Sequence, residues 1–211
     1  MEPTTPPMSG RRAQAARNDQ RILEAARAVF TADPEAPIAA VAARAGVGIA
    51  ALYRRYRSKE ELLQRLASDG LARYLAEAEA ALADEGDPWE AFAGFMRRCV
   101  DAGTSSITRR LAGRFTPTEQ LNRDGRRAYE VTQALLHRTK AAGPLREDVE
   151  VADLSLLFEA LQGIEVADPG RSRELRQRYL ALLLDALRDA SAEALPGPAP
   201  SWQETTSRYG R

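Results

Sequence analysis

VAARAGVGIAALYRRYRSKEELL, residues 41–63, is the stretch on which the reading of this chain turns. Val41, Ala42 and Ala45 recur at helical spacing, and Gly46 supplies a residue able to turn with positive φ. Val47 and Leu52 carry the apolar pattern into a second short helix, so two helices are joined by a tight glycine turn. Ser58-Lys59-Glu60-Glu61 then has the S-x-x-E form of a capping box, which predicts a third helix starting there. A helix-turn-helix with a supporting helix behind it is a unit suited to reading DNA.

The chemistry of the second helix agrees with that use. Arg54 and Arg55, with Arg44, Arg57 and Lys59 nearby, place cationic groups around a helix thin enough for a major groove, where arginine pairs with guanine edges or phosphates. Ala50 and Ala51 are short enough to let the backbone approach, and Gly48 at the helix start belongs to the same DNA-facing set. Ile49 and the alanines offer only apolar contacts, for instance to thymine methyls, so much of the binding is expected to be electrostatic. Arg11 and Arg12 lie in a basic arm that merges into the first helix and is placed to reach an adjacent minor groove. The plainer alternatives are a solvated charged face for Arg54 and Arg55, and a three-helix core for Val41, Val47 and Leu52.

The string G-V-G-I-x-x-L-Y-R-R-Y-x-S-K-E-x-L, residues 46–62, resembles the tetracycline-repressor (TetR) family in its turn, recognition helix and following helix start. The resemblance implies that Tyr53 and Lys59 contact DNA phosphates, that Ile49–Arg54 lies in the major groove, and that Tyr56 packs the motif from inside. Where the family usually has Gly and then Thr before the Leu-Tyr pair, this chain has Ala50 and Ala51, so one phosphate-directed hydroxyl is missing.

Composition bounds the rest. With 211 residues and 44% hydrophobic content, the chain has room for a small N-terminal module and a larger second domain. The formal net charge is zero, yet between Gly10 and Arg65 basic residues outnumber acidic ones by about two to one, so a basic module is offset by a more acidic remainder. Cys99 is the only cysteine, which excludes an intrachain disulfide and fits a reducing compartment. No apolar run approaches a membrane span, and the start lacks the apolar centre of a signal peptide, so the expected location is cytoplasmic. His137 is the sole histidine, leaving a histidine-based metal site or a Ser-His-Asp arrangement almost without parts. Neither a cofactor nor an enzymatic activity is expected.

The predicted architecture is all-α: a tail at 1–10, a helix-turn-helix domain at 11–65, a helical regulatory and dimerisation domain at 66–195, and a tail from 196 onward. Ile22, Leu23, Ala26, Val29 and Phe30 form the core face of the first helix, which Asp33-Pro34 ends, and Pro37 sits where the next can begin. A long helix is expected from Ser58 toward Ala83, and Asp87-Pro88-Trp89-Glu90 starts another. Further helices are predicted at Ser105–Leu111, Thr118–Ala142, Val151–Val166 and Arg171–Ala192, punctuated by Gly143-Pro144 and Asp168-Pro169-Gly170.

The last two of these carry an apolar excess. Leu154, Leu157, Phe158 and Leu161 share one face, while Leu175, Tyr179, Leu182, Leu183, Ala186 and Leu187 make a broad surface on the next helix. In the family resembled, the final two helices pack against their twofold mates as a four-helix bundle, which implies a homodimer; the alternative is that these leucines only fill the intrachain core. RYLALLLDALR also resembles the final helix of the SbtR-like C-terminal subgroup.

Trp89, Phe92, Phe95, Met96 and Cys99 fall at helical spacing, and Phe115, Leu135, Phe158, Leu161 and Gln162 are placed to face them across a ligand cavity, with Gln162, His137 and Arg109 as candidate orienting groups. The plainer reading of that stripe is core, and of Cys99 an inert thiol rather than a redox sensor. The expected function is a dimeric regulator, most simply a repressor, released from double-stranded palindromic operator DNA by a small, mostly apolar molecule. The alternative, motivated only by Ala50 and Ala51, is a helical small-molecule binding protein or enzyme that keeps the fold without tight operator binding.

Overall fold

The computed structural model describes residues 10–103, 113–188, 193–201 and 204, the side chains of residues 10–13, 15 and 16 excepted. Residues 1–9, the predicted Ser105–Leu111 helix with Arg109, and residues 205–211 lie outside the described residues. Among those described there are eight helices and no strand: α1 (Gly10–Ala32), α2 (Ile38–Ala45), α3 (Ile49–Arg55), α4 (Lys59–Ala83), α5 (Pro88–Ala102), α6 (Glu119–Ala141), α7 (Val151–Gln162) and α8 (Pro169–Leu187). They form two compact units, Met1–Leu66 and Ala67–Arg211. No described helix is long and apolar enough to cross a membrane.

In the first unit, α1 packs along α2, and α2 against α3. Ile22, Ala26 and Phe30 of α1, Val41 and Ala42 of α2, Leu52 of α3 and Leu62, Leu63 and Leu66 of α4 are buried together with Tyr56. Each large side chain so removed from water contributes about 1.5–3 kcal/mol. The turn between α2 and α3 depends on Gly46, whose φ of 64° is left-handed. There the Gly46 N–H donates to Ala43 O and the Val47 N–H to Ala42 O, closing the last carbonyls of α2. Arg11 and Arg12 lie in the first turn of α1, so the basic arm continues the helix.

Helix starts in the second unit follow their caps. Asp87 Oδ1 accepts from the Glu90 N–H with Pro88 in the first turn of α5, and Thr118 Oγ1 accepts from the Leu121 N–H at the start of α6. Asp168 accepts from the N–H groups of both Gly170 and Arg171, so α8 begins two residues earlier than Arg171: the Asp-Pro-Gly triplet is a helix cap and first turn, not a breaker. Helix α7 stops at Gln162, short of Val166, where Gly163 follows and Arg176 donates to the carbonyls of Gln162 and Ile164. Helix α5 packs against α6, α7 and α8, and the buried interior they share holds Phe92, Phe95, Met96, Cys99, Leu135, Phe158, Leu180 and Leu184. Tyr74 meets Phe95 and Phe158 edge-on, with centroids 5.4 and 6.3 Å away, while its hydroxyl lies 3.0 Å from Thr132 Oγ1.

The α2–α3 turn gives a direct test. A side chain at Gly46 would adopt a left-handed backbone, and its Cβ would stand 3.0 Å from Arg21 Nη2. Gly46→Ala is expected to destabilise the first unit by about 1–2 kcal/mol, measured by urea unfolding; unchanged stability would mean that the turn tolerates a side chain.

Candidate nucleic-acid interface

Helix α3 divides cleanly by residue spacing. Leu52 is fully buried and Ala51 half-buried, while Ile49, Ala50, Tyr53 and Arg54 face outward on one side. Ile49 is 42% and Tyr53 47% exposed, which is much for residues so apolar in a unit that buries its other large side chains efficiently. Gly48 precedes them with an extended backbone, φ −65° and ψ 140°, which any residue adopts, and nothing lies within 4 Å of where a Cβ would stand. The N-terminal end of α3 is therefore open to the approach of another surface. Arg54 is exposed, with no protein acceptor among the described residues. Its guanidinium is available to an external partner.

Two of the expected DNA-contacting cations are otherwise engaged. Arg55 Nε and Nη2 donate to the two carboxylate oxygens of Asp19 at 2.7 and 2.9 Å, so its forked edge faces α1 instead of a groove. The hydroxyl of buried Tyr56 donates to the same Asp19 Oδ1 at 2.7 Å, consistent with its reading as a core residue. The bond from Arg55, joined by that from Tyr56, holds the Asp19 carboxyl below the usual carboxylate range against the opposing effect of burial. Burial first, and then the bond to Asp19, pushes the Tyr56 phenol up. Lys59 is engaged similarly. Its ammonium donates to the carbonyl oxygens of Pro34, Glu35 and Ala36 at 3.4, 3.3 and 2.9 Å, and stands 5.2 Å from the centre of the Phe30 ring. All three of its N–H groups thus meet the loop between α1 and α2, which makes Lys59 a structural tie in this unit.

Arg44 is exposed and lies beside an open cleft of about 310 Å³ between α1 and α2 that Arg21, Glu24, Ala25 and Ala45 also line. Arg21 donates to the Ala45 carbonyl at 2.8 Å, which closes the end of α2. The capping box at α4 is made: the Glu61 N–H donates to Ser58 Oγ, and Glu61 Oε2 accepts from the Arg57 N–H, one residue further back than the expected partner. Asp19 and Arg21 were not among the residues that the sequence singled out. Asp19 is 36 positions from Arg55, and no local pattern links the two.

The second unit redistributes the expected ligand and interface residues. Trp89, Phe92, Phe95, Met96, Cys99, Leu135 and Phe158 converge in one buried cluster. Gln162 is buried with its amide donating to the Val100 carbonyl at 2.9 Å, Phe115 is half-buried outside that cluster, and His137 is exposed to solvent rather than turned inward. Among the interface candidates, Leu154, Leu161 and Leu187 are 0%, 2% and 8% exposed, so they belong to the chain's own core. Leu157 and Leu183 are partly buried against that core, and Leu175 is half-buried. Tyr179, Leu182 and Ala186 remain outward on α8, with Tyr179 50% and Leu182 56% exposed. No group of three or more His, Cys, Asp or Glu side chains able to hold a metal ion occurs among the described residues.

Residues 22–66 match the bacterial regulatory proteins of the tetR family, and residues 87–189 match the C-terminal domain of SbtR-like transcriptional regulators. Among solved structures the chain is similar to a TetR transcription regulatory protein from Mycobacterium vanbaalenii, 30% identical over 84% of this chain and 98% of that one, with a TM-score of 0.57. It is similar also to a TetR transcriptional regulator from Streptomyces coelicolor, at 27% identity over 80% and 97% of the two chains and a TM-score of 0.56. For the TetR family regulator PfmR from Thermus thermophilus the values are 26%, 78%, 97% and 0.56. Among curated proteins none matches the chain.

The engagement of Lys59 has a measurable consequence. Lys59→Met keeps an unbranched side chain of similar length but leaves three carbonyls without their donor, so the first unit is expected to lose about 1–3 kcal/mol of stability, read by chemical unfolding without DNA. A variant as stable as the wild type that binds DNA more weakly would return Lys59 to the phosphate-contacting set.

Proposed function

The chain belongs to the TetR family of bacterial transcriptional regulators, DNA-binding proteins rather than enzymes, and from that premise we propose that it is a homodimeric repressor released from a palindromic operator by a small, mostly apolar molecule. The observation that carries this reading is the outward face of α3, where Ile49, Ala50, Tyr53 and exposed Arg54 stand clear of a core that holds the helix from behind. In this proposal the short residues admit the backbone to the major groove, Ile49 meets thymine methyls, Tyr53 meets a phosphate, and Arg54 reads a guanine edge or a phosphate. The lack of a hydroxyl at Ala51 leaves a larger share of the register to Tyr53.

The dimer is proposed on α8, with Leu157 of α7 at its margin. Tyr179, Leu182 and Ala186 fall at i, i+3 and i+7, with Leu175 one turn before and Leu183 alongside, a stripe that a twofold mate would cover. Two recognition helices related by such an axis require half-sites of matching spacing. The ligand is proposed to enter among α5, α6 and α7, displacing packed apolar side chains and presenting a polar end to Gln162 or to the Tyr74–Thr132 hydroxyl pair. Helix α4 is one continuous helix that contributes Leu62 to the first unit and Tyr74 to the second. A change that a ligand imposes near Tyr74 thus has a covalent route to the DNA-reading unit, and a coupling of about 1–3 kcal/mol is typical of such linked sites.

A duplex selected from a random pool by the wild-type protein supplies the operator for two measurements. Arg54→Ala is expected to cost about 1–3 kcal/mol on the selected duplex and much less on random DNA; equal losses on both would take Arg54 out of base reading. Leu182→Arg, which sets a charge in the proposed apolar interface without disturbing the chain's own core, is expected to give a folded monomer with little affinity for the selected duplex. A dimer with normal affinity after that change places the interface elsewhere.

A further inference from the structure

Asp19 lies on α1, outside the helix-turn-helix, yet it receives three hydrogen bonds from the end of the recognition helix: two from Arg55 and one from Tyr56. Its carboxylate is well enclosed, at 15% exposure, whereas the Arg55 side chain is 56% exposed and follows directly on Arg54. The bidentate edge that Arg55 gives to Asp19 is the one an arginine would use on a phosphate or a guanine. A carboxylate in that place acts as a built-in competitor for the DNA. We propose that Asp19 is a specificity-determining positioning residue that keeps Arg55 off the DNA, so that the basic face of α3 reads through Arg54 and does not grip every phosphate it meets. The inference rests on α3 being the DNA-reading helix. Each phosphate neutralised adds to affinity on any sequence and adds nothing to discrimination. On the operator, the register that Arg54 fixes limits which phosphates a freed Arg55 could reach, whereas on random DNA it could take whichever lies nearest, so withholding it lowers random binding the more.

Asp19→Asn tests this, because asparagine keeps an acceptor for the Tyr56 hydroxyl and the shape of the clasp while giving up the charge that holds Arg55. The readout is the slope of log K against log salt for the full-length protein on a random-sequence duplex, beside the affinity for the selected duplex. Asp19→Asn is expected to steepen the random-DNA slope by about 0.9, so that its gain over the wild type is about 3.5-fold larger at 50 mM than at 200 mM salt, and to narrow the ratio of selected to random affinity. Asp19→Asn/Arg55→Gln is expected to restore the wild-type slope. Arg55→Gln alone, which does not depend on Asp19→Asn folding well, is expected to leave that slope unchanged. A slope reduced by about one phosphate in Arg55→Gln would show that Arg55 already neutralises DNA and would overturn the proposal. So would equal slopes for Asp19→Asn and the double variant, or an Asp19→Asn that loses affinity for both duplexes in parallel with a lowered melting temperature. Wild-type binding to the selected duplex separately tests the role of α3, since it can hold while the slopes refuse the clasp.

Discussion

A helix of seven residues has no stability of its own in water, because the few hydrogen bonds it closes do not offset the entropy of its nucleus. Helix α3 exists only because Leu52 and the following Tyr56 are buried against the helices behind it. That requirement shapes the whole first unit. The inner side of α3 must be apolar, the turn before it must be tight enough to swing it onto α1 and α2, and whatever polar atoms accompany the buried ring must find partners. Gly46 meets the second condition with a left-handed backbone, and Asp19 meets the third by accepting from the Tyr56 hydroxyl. What is left over, the outer side with Ile49, Tyr53 and Arg54, is free of structural duty.

The division of labour among cations follows from the same pressure on backbone groups. Lys59 serves the carbonyls of the α1–α2 loop, Arg21 the last carbonyl of α2, Arg138 the carbonyls of Ala81, Leu82 and Asp84 at the end of α4, and Arg176 those after α7. Helix ends leave carbonyls that the helix cannot satisfy, and a charged donor there is worth more than one in solvent. The basic excess of the first sixty-odd residues therefore overstates the charge available to DNA. Arg55 is balanced by Asp19, Lys59 is turned inward, and Arg54 is the cation of α3 that keeps an open hand.

Much of this architecture was legible because it rests on local spacing. The apolar rhythm of Val41, Ala42 and Ala45, the glycine after it, and the caps at Ser58, Asp87 and Thr118 are each decided within a few residues of chain. The family string at residues 46–62 added the direction in which α3 faces. What escaped is what distance hides. Nothing near Asp19 announces a partner 36 residues away, and a lysine at a helix start gives no sign that three carbonyls wait for it. In the second unit, helical periodicity placed leucines on α7 and α8 without telling inward from outward, because both sides of α8 are apolar. Leu180, Leu184 and Leu187 face the core while Tyr179, Leu182 and Ala186 face out, and the packing of α5 and α7 against α8 makes that choice.

The buried interior of the second unit bears on the ligand proposed to enter it. Phe92, Phe95, Met96, Leu135 and Phe158 belong to one buried cluster, so a molecule entering among them takes over contacts that these side chains make with their neighbours. In the proposed response, what such a molecule moves among these side chains is the signal. The polar groups in this interior fit that role. The Tyr74 hydroxyl against Thr132 and the Gln162 amide against Val100 O are already satisfied, and a ligand that borrows one of them must leave its former partner in need of another. Tyr74 is where such a rearrangement would be felt along the chain, because it touches Phe95 and Phe158 and stands on the same helix that closes the core beneath α3.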